Sequence, residues 1–301
     1  MYTNFSFNQS PPHEGYIPAK NAQLYFREIG HGLPIIILHG GPDFNHNYLL
    51  PDMDRLSTAF RLIYYDQRGR GKSESNVQPK DVSLESEIAD IEILYKYFHL
   101  KTAAVLGHSW GGLLALEYAL RYPQRLSHLI LMNSAPVSHK DFIRFQQERR
   151  KKEASNLEKL KALSATTQYE MGDLETDAEY YRIHFQTTLR QPEHLEQVVN
   201  RLRVSFTAES VRKARVIENR LYDDTWVLSQ YDLLPKLKRL NIPTLVIHGD
   251  YDFIPVVCAK HIARAIPGAQ FILLKECGHF SYLECPEEVG RVIADFFDIR
   301  T

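Results

Sequence analysis

Gly107-His108-Ser109-Trp110-Gly111 is the stretch of sequence that decides the fold of this chain. A strand-like apolar run, 102–106, precedes it, and a helix-like run, 112–119, follows it. A strand, a sharp turn and a helix are the context in which Gly-x-Ser-x-Gly forms a nucleophile elbow rather than a chance Gly-Ser turn. The flanking glycines remove Cβ atoms that would clash with the neighbouring strand and helix, so the serine can take a strained conformation. The pattern therefore predicts Ser109 as a nucleophile above the edge of a sheet.

The composition of the 301-residue chain, 44% apolar and 24% charged, is typical of a soluble globular protein. A formal net charge of −1 provides no field that would draw it to nucleic acid or an anionic membrane. The longest apolar runs, such as 33–38, are far too short to span a bilayer. Three cysteines form no secreted disulfide framework, and residues 1–10 lack a signal-peptide core. We expect a cytoplasmic protein without nucleic-acid or membrane partners, whose oligomeric state stays open.

Strand-like and helix-like segments alternate at both ends of the chain, which predicts a mostly parallel sheet with helices on both faces. Between residues 135 and 235, strand-like runs are almost absent and charged helical segments dominate, over 140–162, 177–188, 192–205 and 209–221. We therefore expect an α/β core in residues 1–134 and 236–301, interrupted by a helical cap in residues 135–235. Within the cap, Arg149-Arg150-Lys151-Lys152 lies next to acidic residues and is typical of a solvated helix face. The predicted core segments are a strand pair within 15–29, strands 34–38, 60–65, 102–106, 128–132, 244–247 and 270–274, and helices 84–100, 111–122, 256–265 and 286–297. Ser83 is the expected N-cap of the helix that begins at residue 84.

A serine nucleophile needs a base, and the base needs a group that orients it. The predicted strand 244–247 is followed by Asp250 and Asp252, and the strand 270–274 is followed by His279. Because the carboxyl ends of parallel strands meet at one edge of the sheet, His279 is expected between Ser109 and one of these carboxylates. The local sequence alone does not separate Asp250 from Asp252.

Two further histidines are rival candidates for the base. His108 and His248 each adjoin a predicted strand too closely to swing over Ser109, so both are interpreted as structural.

An acyl-transfer site also needs backbone donors for an oxyanion. Trp110, directly after the nucleophile, is expected to supply one N–H. The turn His39-Gly40-Gly41-Pro42 is expected to supply the other, from Gly41 first and Gly40 second.

A phosphate-binding loop is the alternative interpretation of the segment 66–73, which ends in Gly71-Lys72-Ser73. That motif requires a glycine where Asp66 stands, and no strand-loop-helix unit follows, so nucleotide binding is rejected. Asp66 and Arg68 are expected to be buried and to shape the loop beside the site. The thirteen histidines and three cysteines show no metal-ligand spacing, so we expect neither a metal nor a cofactor.

Three stretches together resemble the α/β-hydrolase fold and, within it, the proline iminopeptidases (prolyl aminopeptidases). They are His39-Gly40-Gly41-Pro42, Asp66-Gln67-Arg68-Gly69 and Gly107-His108-Ser109-Trp110-Gly111-Gly112. The resemblance covers the core at both ends of the chain. It implies a triad of Ser109, Asp252 and His279, with Gly41 and Trp110 as oxyanion donors. The implied reaction is removal of an N-terminal residue, often proline, through an acyl-enzyme.

One position departs from that family, because Asp43 stands where glycine usually follows His-Gly-Gly-Pro. The family holds the ammonium group of its substrate with glutamates of the cap, and the segment 214–219 implies Glu218 for this role. Asp43 is a second possible ammonium partner, and Gly40 is expected beside the substrate. Glu209 and the acidic residues of 170–179 are alternatives to Glu218.

These features predict a serine aminopeptidase that acts on small peptides. The alternative is a carboxylesterase or another small-molecule ester or amide hydrolase with the same triad. A third hypothesis is a ligand receptor without catalysis on the same fold, which the complete triad disfavours.

Overall fold

A computed structural model gives the structure of the protein and describes residues 11–74 and 76–299. Residues 1–10, for which the sequence predicts no signal segment, lie outside the described residues. The central sheet has eight strands in the order β1-β2-β4-β3-β5-β6-β7-β8. β1 runs antiparallel to β2 and β2 antiparallel to β4, whereas every other neighbouring pair is parallel. The strands are β1 (His13–Ala19), β2 (Ala22–Ile29), β3 (Leu33–Leu38), β4 (Phe60–Tyr65), β5 (Ala103–His108), β6 (Leu126–Met132), β7 (Thr244–Gly249) and β8 (Gln270–Leu274).

Helices cover both faces of the sheet, as predicted. Successive residues of β3 face opposite sides: Ile36 belongs to one apolar cluster, and Ile35 and Ile37 belong to another. This is why the strand is a continuous apolar run rather than an alternating one. The first cluster includes residues of α1, α2 and α10, and the second includes residues of α12. Within the described residues the helices are α1 (Leu84–Tyr97), α2 (Trp110–Arg121), α3 (His139–Lys152), α4 (Ala154–Ser164), α5 (Thr167–Met171), α6 (Leu174–Phe185), α7 (Leu195–Leu202), α8 (Ala208–Asp223), α9 (Leu234–Leu237), α10 (Val256–Ala265), α11 (Ser281–Glu284) and α12 (Pro286–Phe296).

The segment between β6 and β7 is helical and carries α3 to α9. Its two ends lie side by side, because Ser138 forms an isolated β-bridge with Asp232 and Leu233 N donates to the carbonyl of Val137 at 3.0 Å. The segment therefore leaves and rejoins the sheet at one place. The domain boundaries at residues 135 and 235 stay a prediction. None of the helices described in residues 11–74 and 76–299 combines the length and the apolar character of a membrane span.

Helix ends differ from the sequence-based expectations where no proline or glycine marks them. The predicted N-cap of α1 is present, since the Ser83 hydroxyl accepts from Ser86 N at 3.2 Å. The helix ends at Tyr97 rather than at residue 100, because the chain turns through a left-handed residue, His99, with φ of 53°. The long charged segment expected as one helix over 140–162 is α3 and α4, which are separated at Glu153.

Candidate active site

Ser109 lies in the turn between β5 and α2, with φ of 55° and ψ of −119°. A serine with positive φ is held only where the surrounding structure compensates the strain. Here Ser109 N donates to the carbonyl of Met132 at 3.1 Å, and its own carbonyl accepts from Gly112 N and Ala135 N, each at 2.9 Å. The turn thus has the conformation that the Gly-x-Ser-x-Gly pattern predicts.

The glycines on either side of Ser109 are required by backbone contacts. A Cβ on Gly107 would lie 2.1 Å from the carbonyl oxygen of Gly111. A Cβ on Gly111 would lie 2.1 Å from the carbonyl oxygen of Leu38, on the neighbouring strand. Because both obstacles are backbone atoms, no rotamer change can relieve them. The elbow therefore brings α2 closer to the sheet than any side chain would allow.

His279 and Asp252 meet at the carboxyl edge of the sheet, after β8 and β7. His279 Nδ1 lies 2.9 Å from Asp252 Oδ1 and 3.1 Å from Oδ2. The carboxylate also accepts from Ile254 N at 2.9 Å and from Asn133 Nδ2 at 2.8 Å. Burial alone would raise the pKa of Asp252, but the contacts with His279, His248 and Asn133 lower it to about 2. Asp252 is therefore a fixed anion that orients the imidazole.

The rival acid makes no contact with this imidazole. The carboxylate of Asp250 instead accepts from Cys277 N at 3.4 Å and lies 3.6 Å from Lys275 Nζ. Of the two carboxylates that the local sequence left open, the structure brings Asp252 to His279.

The rival histidines are engaged within the core. His108 Nδ1 lies 2.8 Å from the Tyr48 hydroxyl, and its Nε2 lies 3.0 Å from the carbonyl oxygen of His279. Burial, with the nearby His279, lowers the pKa of His108 to about 3, so this ring is neutral. His248 Nε2 lies 2.9 Å from the carbonyl oxygen of Ile254. Both rings thus have structural contacts beside the site, as the sequence predicts.

Ser109 and His279 line the same cavity. Over residues 11–74 and 76–299, no hydrogen bond joins the two side chains. Catalytic hydrogen bonds of this kind are often long in unliganded enzymes and shorten when a substrate binds. The structure brings Ser109, His279 and Asp252 together in the order hydroxyl, imidazole and carboxylate. Of the two contacts in this series, the one between His279 and Asp252 is already formed.

Two backbone N–H groups of residues that line the cavity with Ser109 have no acceptor among the described residues. Gly40 N donates to the Tyr48 hydroxyl at 2.7 Å, which excludes Gly40 as an oxyanion donor. For Gly41 N and Trp110 N, the described part of the chain offers no hydrogen-bond acceptor. Gly41 has φ of 117°, and a Cβ there would lie 2.2 Å from Asp43 N. Gly41 and Trp110 line the cavity, whereas Gly40, expected beside the substrate, does not, because it is turned back onto Tyr48.

The cavity encloses about 880 Å³ including its open mouth. Glu218 contributes a carboxylate to its wall and accepts from the Tyr222 hydroxyl at 2.9 Å. Burial and the charge of Asp43 raise the pKa of Glu218 to about 8. Among the residues described, no cation lies within salt-bridge distance of Glu218. The wall is largely aromatic and includes Phe44, Phe142, Phe145, Tyr180, Tyr222 and Trp226.

Asp43 also lines the cavity, but its carboxylate already has a cationic partner. Arg203 Nη2 donates to Asp43 Oδ2 at 2.7 Å, and the Tyr181 hydroxyl donates to the same oxygen. If Asp43 also bound a substrate ammonium group, its carboxylate would have to interact with that group and with Arg203 at the same time. The alternatives lie elsewhere: Glu209 is exposed, and Asp177 in the acidic run is buried against Arg203 and Arg215.

Arg149 corrects one expectation from the sequence. It was predicted on a solvated helix face, but its side chain is 12% exposed and lines the cavity. Its Nε donates to Glu153 Oε2 at 3.0 Å, and its Nη2 lies 2.7 Å from His184 Nδ1. The basic run is solvated on one side only, because α3 packs Arg149 against α6.

Asn133 is a site residue that the sequence reasoning missed. It follows β6 directly, and its Nδ2 donates to Asp252 while its Oδ1 accepts from Ser281 Oγ at 2.5 Å. The signal was a polar residue immediately after a buried strand at the same sheet edge as Ser109. Where side chains are described, no group of three or more His, Cys, Asp or Glu residues is arranged to hold a metal ion.

Comparisons with known proteins agree with this architecture. A family model described as the alpha/beta hydrolase fold matches residues 34–286. The chain is 28% identical to a proline iminopeptidase of Saccharolobus solfataricus, over 95% of this chain and 92% of the relative. It is 27% identical to a proline iminopeptidase of Lacticaseibacillus rhamnosus, over 93% and 96%. A crystal structure of proline iminopeptidase from Mycobacterium smegmatis shares the fold, with a TM-score of 0.71 and 24% identity over 94% of this chain and 97% of that chain.

Proposed function

The chain belongs to the α/β-hydrolase fold family, and from this premise we propose that it is a serine hydrolase that forms an acyl-enzyme on Ser109. It is a hydrolase that resembles the proline iminopeptidases. The observation that carries the proposal is the strained Ser109 turn, which shares a cavity with a His279 imidazole hydrogen-bonded to the buried Asp252 carboxylate. A binding protein has no need for this combination of strain and buried charge.

In the proposed reaction, Ser109 Oγ attacks the substrate carbonyl while His279 takes the hydroxyl proton. Asp252, ionised because its pKa is lowered to about 2, accepts from His279 Nδ1–H and stabilises the imidazolium. The N–H groups of Gly41 and Trp110 donate to the oxyanion of the tetrahedral intermediate. His279 then returns the proton to the leaving group, and water releases the acyl group by the same steps.

We propose an aminopeptidase of the proline iminopeptidase type, which releases N-terminal residues from small peptides. Glu218 is the proposed partner of the substrate's ammonium group, since it is a carboxylate in the cavity wall without a cation of its own. Aromatic side chains beside it suit an apolar pyrrolidine ring and a neighbouring positive charge. The relatives named proline iminopeptidase support this substrate class. The cytoplasmic location expected from the sequence belongs to the same proposal.

A carboxylesterase is the second candidate, and the pKa of Glu218 favours it. With that pKa raised to about 8, Glu218 is mostly protonated near neutral pH, and the aromatic cavity then suits an uncharged acyl group. Rates on prolyl, other aminoacyl and alkanoyl chromogenic substrates distinguish the candidates. Turnover of alkanoyl esters without release of any N-terminal residue would exclude the aminopeptidase.

Ser109→Ala tests whether the protein is a serine hydrolase. We expect kcat to fall by roughly 10⁴- to 10⁶-fold, because the nucleophile and its base act as a unit. The matched control is Ser164→Ala, which removes an exposed hydroxyl at the end of α4 and should leave kcat unchanged. A Ser109→Ala variant with the wild-type kcat would exclude the proposed mechanism, whereas unchanged biological activity in a variant without turnover would favour the receptor hypothesis.

A further inference from the structure

A buried chain of alternating charges connects the oxyanion turn to the helical segment between β6 and β7. Arg203, directly after α7, donates from Nη2 to Asp43 Oδ2 at 2.7 Å and from Nη1 to the backbone carbonyl of Asp43. Its Nε donates to Asp177 Oδ2 on α6 at 2.7 Å. Arg215 on α8 completes the chain through Asp177 Oδ1. The Asp177 carboxylate on α6 thus links α8 to Arg203 at the end of α7, and the Arg203 guanidinium in turn binds Asp43.

The Asp43 end of this chain is part of the turn that carries Gly41. A Cβ on Gly41 would lie 2.2 Å from Asp43 N and 3.1 Å from Asp43 Oδ1, so the turn is folded tightly upon itself. Arg203 holds Asp43 at both its side chain and its backbone carbonyl. Because only Pro42 separates the two residues in this turn, a displacement of Asp43 would be transmitted to Gly41.

Stability alone does not explain why such charges are buried. The side chains of Asp43, Arg203 and Asp177 are at most 9% exposed. Buried ion pairs are often no more stabilising than apolar residues of the same size, because desolvation offsets their attraction. A forked guanidinium does fix the direction and distance of the groups it binds. Fixed geometry is what an oxyanion donor requires.

We propose that Arg203 is a positioning residue, which through Asp43 holds the Gly41 N–H in place for the oxyanion and ties this geometry to the docked cap helices. In this role Asp43 supports the oxyanion turn, and its charge is balanced by Arg203 rather than reserved for the substrate. Because the role rests on the proposed function, one of its tests must work without any catalysis.

The test compares Arg203→Lys with Arg201→Lys. Lysine keeps the charge, but its single ammonium nitrogen lacks the planar fork whose separate nitrogens bind Asp43 and Asp177. Arg201 is the matched control, because it lies on α7 and its Nη1 binds Asp52 of the core at 2.6 Å, away from the oxyanion turn. Asp43→Asn is the second variant, which weakens the same contact from the core side should Arg203→Lys fold poorly.

The first measurement is amide hydrogen exchange of residues 40–45, which needs no activity. We expect faster exchange in Arg203→Lys and Asp43→Asn, and wild-type exchange in Arg201→Lys. The second is the rate at which a fluorophosphonate labels Ser109. Removing an oxyanion donor costs about 10²- to 10³-fold, so displacing one should slow labelling by roughly 10- to 100-fold with little change in substrate KM.

In a double variant, Asp43→Asn with Arg203→Lys, Ser109 should be labelled no more slowly than in the slower single variant. The reason is that both substitutions break the same contact between Arg203 and Asp43. Wild-type exchange in Arg203→Lys and Asp43→Asn, or an equal effect of Arg201→Lys, would overturn the role of Arg203. A wild-type protein that is labelled no faster than Ser109→Ala would instead overturn the proposed function, and the exchange data would still decide whether Arg203 holds the turn.

Discussion

Glu218 is the residue whose charge we propose to determine which substrates the cavity can hold. Its carboxylate lies among aromatic rings, near the charge of Asp43 and without a cation of its own in the described part of the chain. Burial therefore works against ionisation, and its pKa is raised to about 8. A substrate ammonium group would supply the missing positive charge and favour the carboxylate form. Binding of a cationic substrate is then coupled to the loss of a proton from Glu218.

This coupling predicts that cationic substrates bind more tightly as the pH rises. A carboxyl group with a pKa of about 8 is neutral below that pH and becomes an anion above it. KM for a prolyl substrate should therefore fall between about pH 6 and pH 8, by at most about tenfold per pH unit. KM for an alkanoyl ester should stay constant over this range.

Glu218→Gln is the control for that pH profile, since glutamine keeps an acceptor for the Tyr222 hydroxyl but has no carboxyl proton to lose. In this variant, KM for the prolyl substrate should be high and independent of pH. Steady-state kinetics on both substrates measure the effect. The same pH profile in wild type and Glu218→Gln would show that another group is responsible.

The elbow between β5 and α2 is the element that brings the nucleophile to the sheet edge, and its glycines predict a stability effect. In Gly111→Ala the new Cβ would lie 2.1 Å from the carbonyl oxygen of Leu38, so the helix or the strand must shift. We expect the free energy of unfolding to fall by about 3 kcal/mol. Urea denaturation followed by circular dichroism measures it.

Gly290→Ala is the matched control, because Gly290 lies within α12 and a Cβ there meets nothing within 4 Å. The same substitution should stabilise the protein at this position by up to about 1 kcal/mol, as alanine favours the helix. Equal effects of the two substitutions would mean that the close approach of α2 to β3 is not needed for folding.

Elements with a strong local signal could be predicted from the sequence. The bounds of α10 and β8 are as predicted, since each is a short apolar pattern between clear turn residues. α3 and α4 were expected as one helix, because the break at Glu153 has neither glycine nor proline to mark it. At this break the Glu153 side chain is only 4% exposed, a burial that the local run of charged residues does not indicate. Local patterns therefore predict elements better than the breaks that packing imposes.

For the site, too, local patterns could be predicted from the sequence, whereas contacts between distant segments of the molecule could not. Ser109, His279 and the pair Asp250 and Asp252 each follow a predicted strand, so the rule that parallel strands end at one edge was enough to bring them together. The choice of Asp252 over Asp250 came from the family resemblance. Arg203 lies 160 residues from its partner Asp43, and no spacing rule connects a cap helix to an oxyanion turn. Arg149 was likewise predicted in solvent, because the sequence does not say which side of α3 faces the core. Contacts between cap and core are what the sequence alone could not provide.

The arrangement of the cap predicts the outcome of replacing it. The helical segment leaves and rejoins the core at the Ser138–Asp232 bridge, so a cap from another α/β hydrolase can be joined there without changing the sheet. Because Phe142, Glu218 and Trp226 of the present cap line the cavity, we expect the exchange to change the preference between prolyl and alkanoyl substrates. A panel of both substrate types measures this preference.

Replacing the cap also removes Arg203, so the Asp43 carboxylate loses its cationic partner. We therefore expect fluorophosphonate labelling of Ser109 to be slower in the exchanged protein than in wild type. Asp43→Gly in the same exchanged protein should restore part of the rate, because a glycine turn needs no partner from the cap. An exchanged protein with unaltered substrate preference would show that the core alone sets specificity. Labelling at the wild-type rate with Asp43 intact would show that the oxyanion turn holds its geometry without the cap.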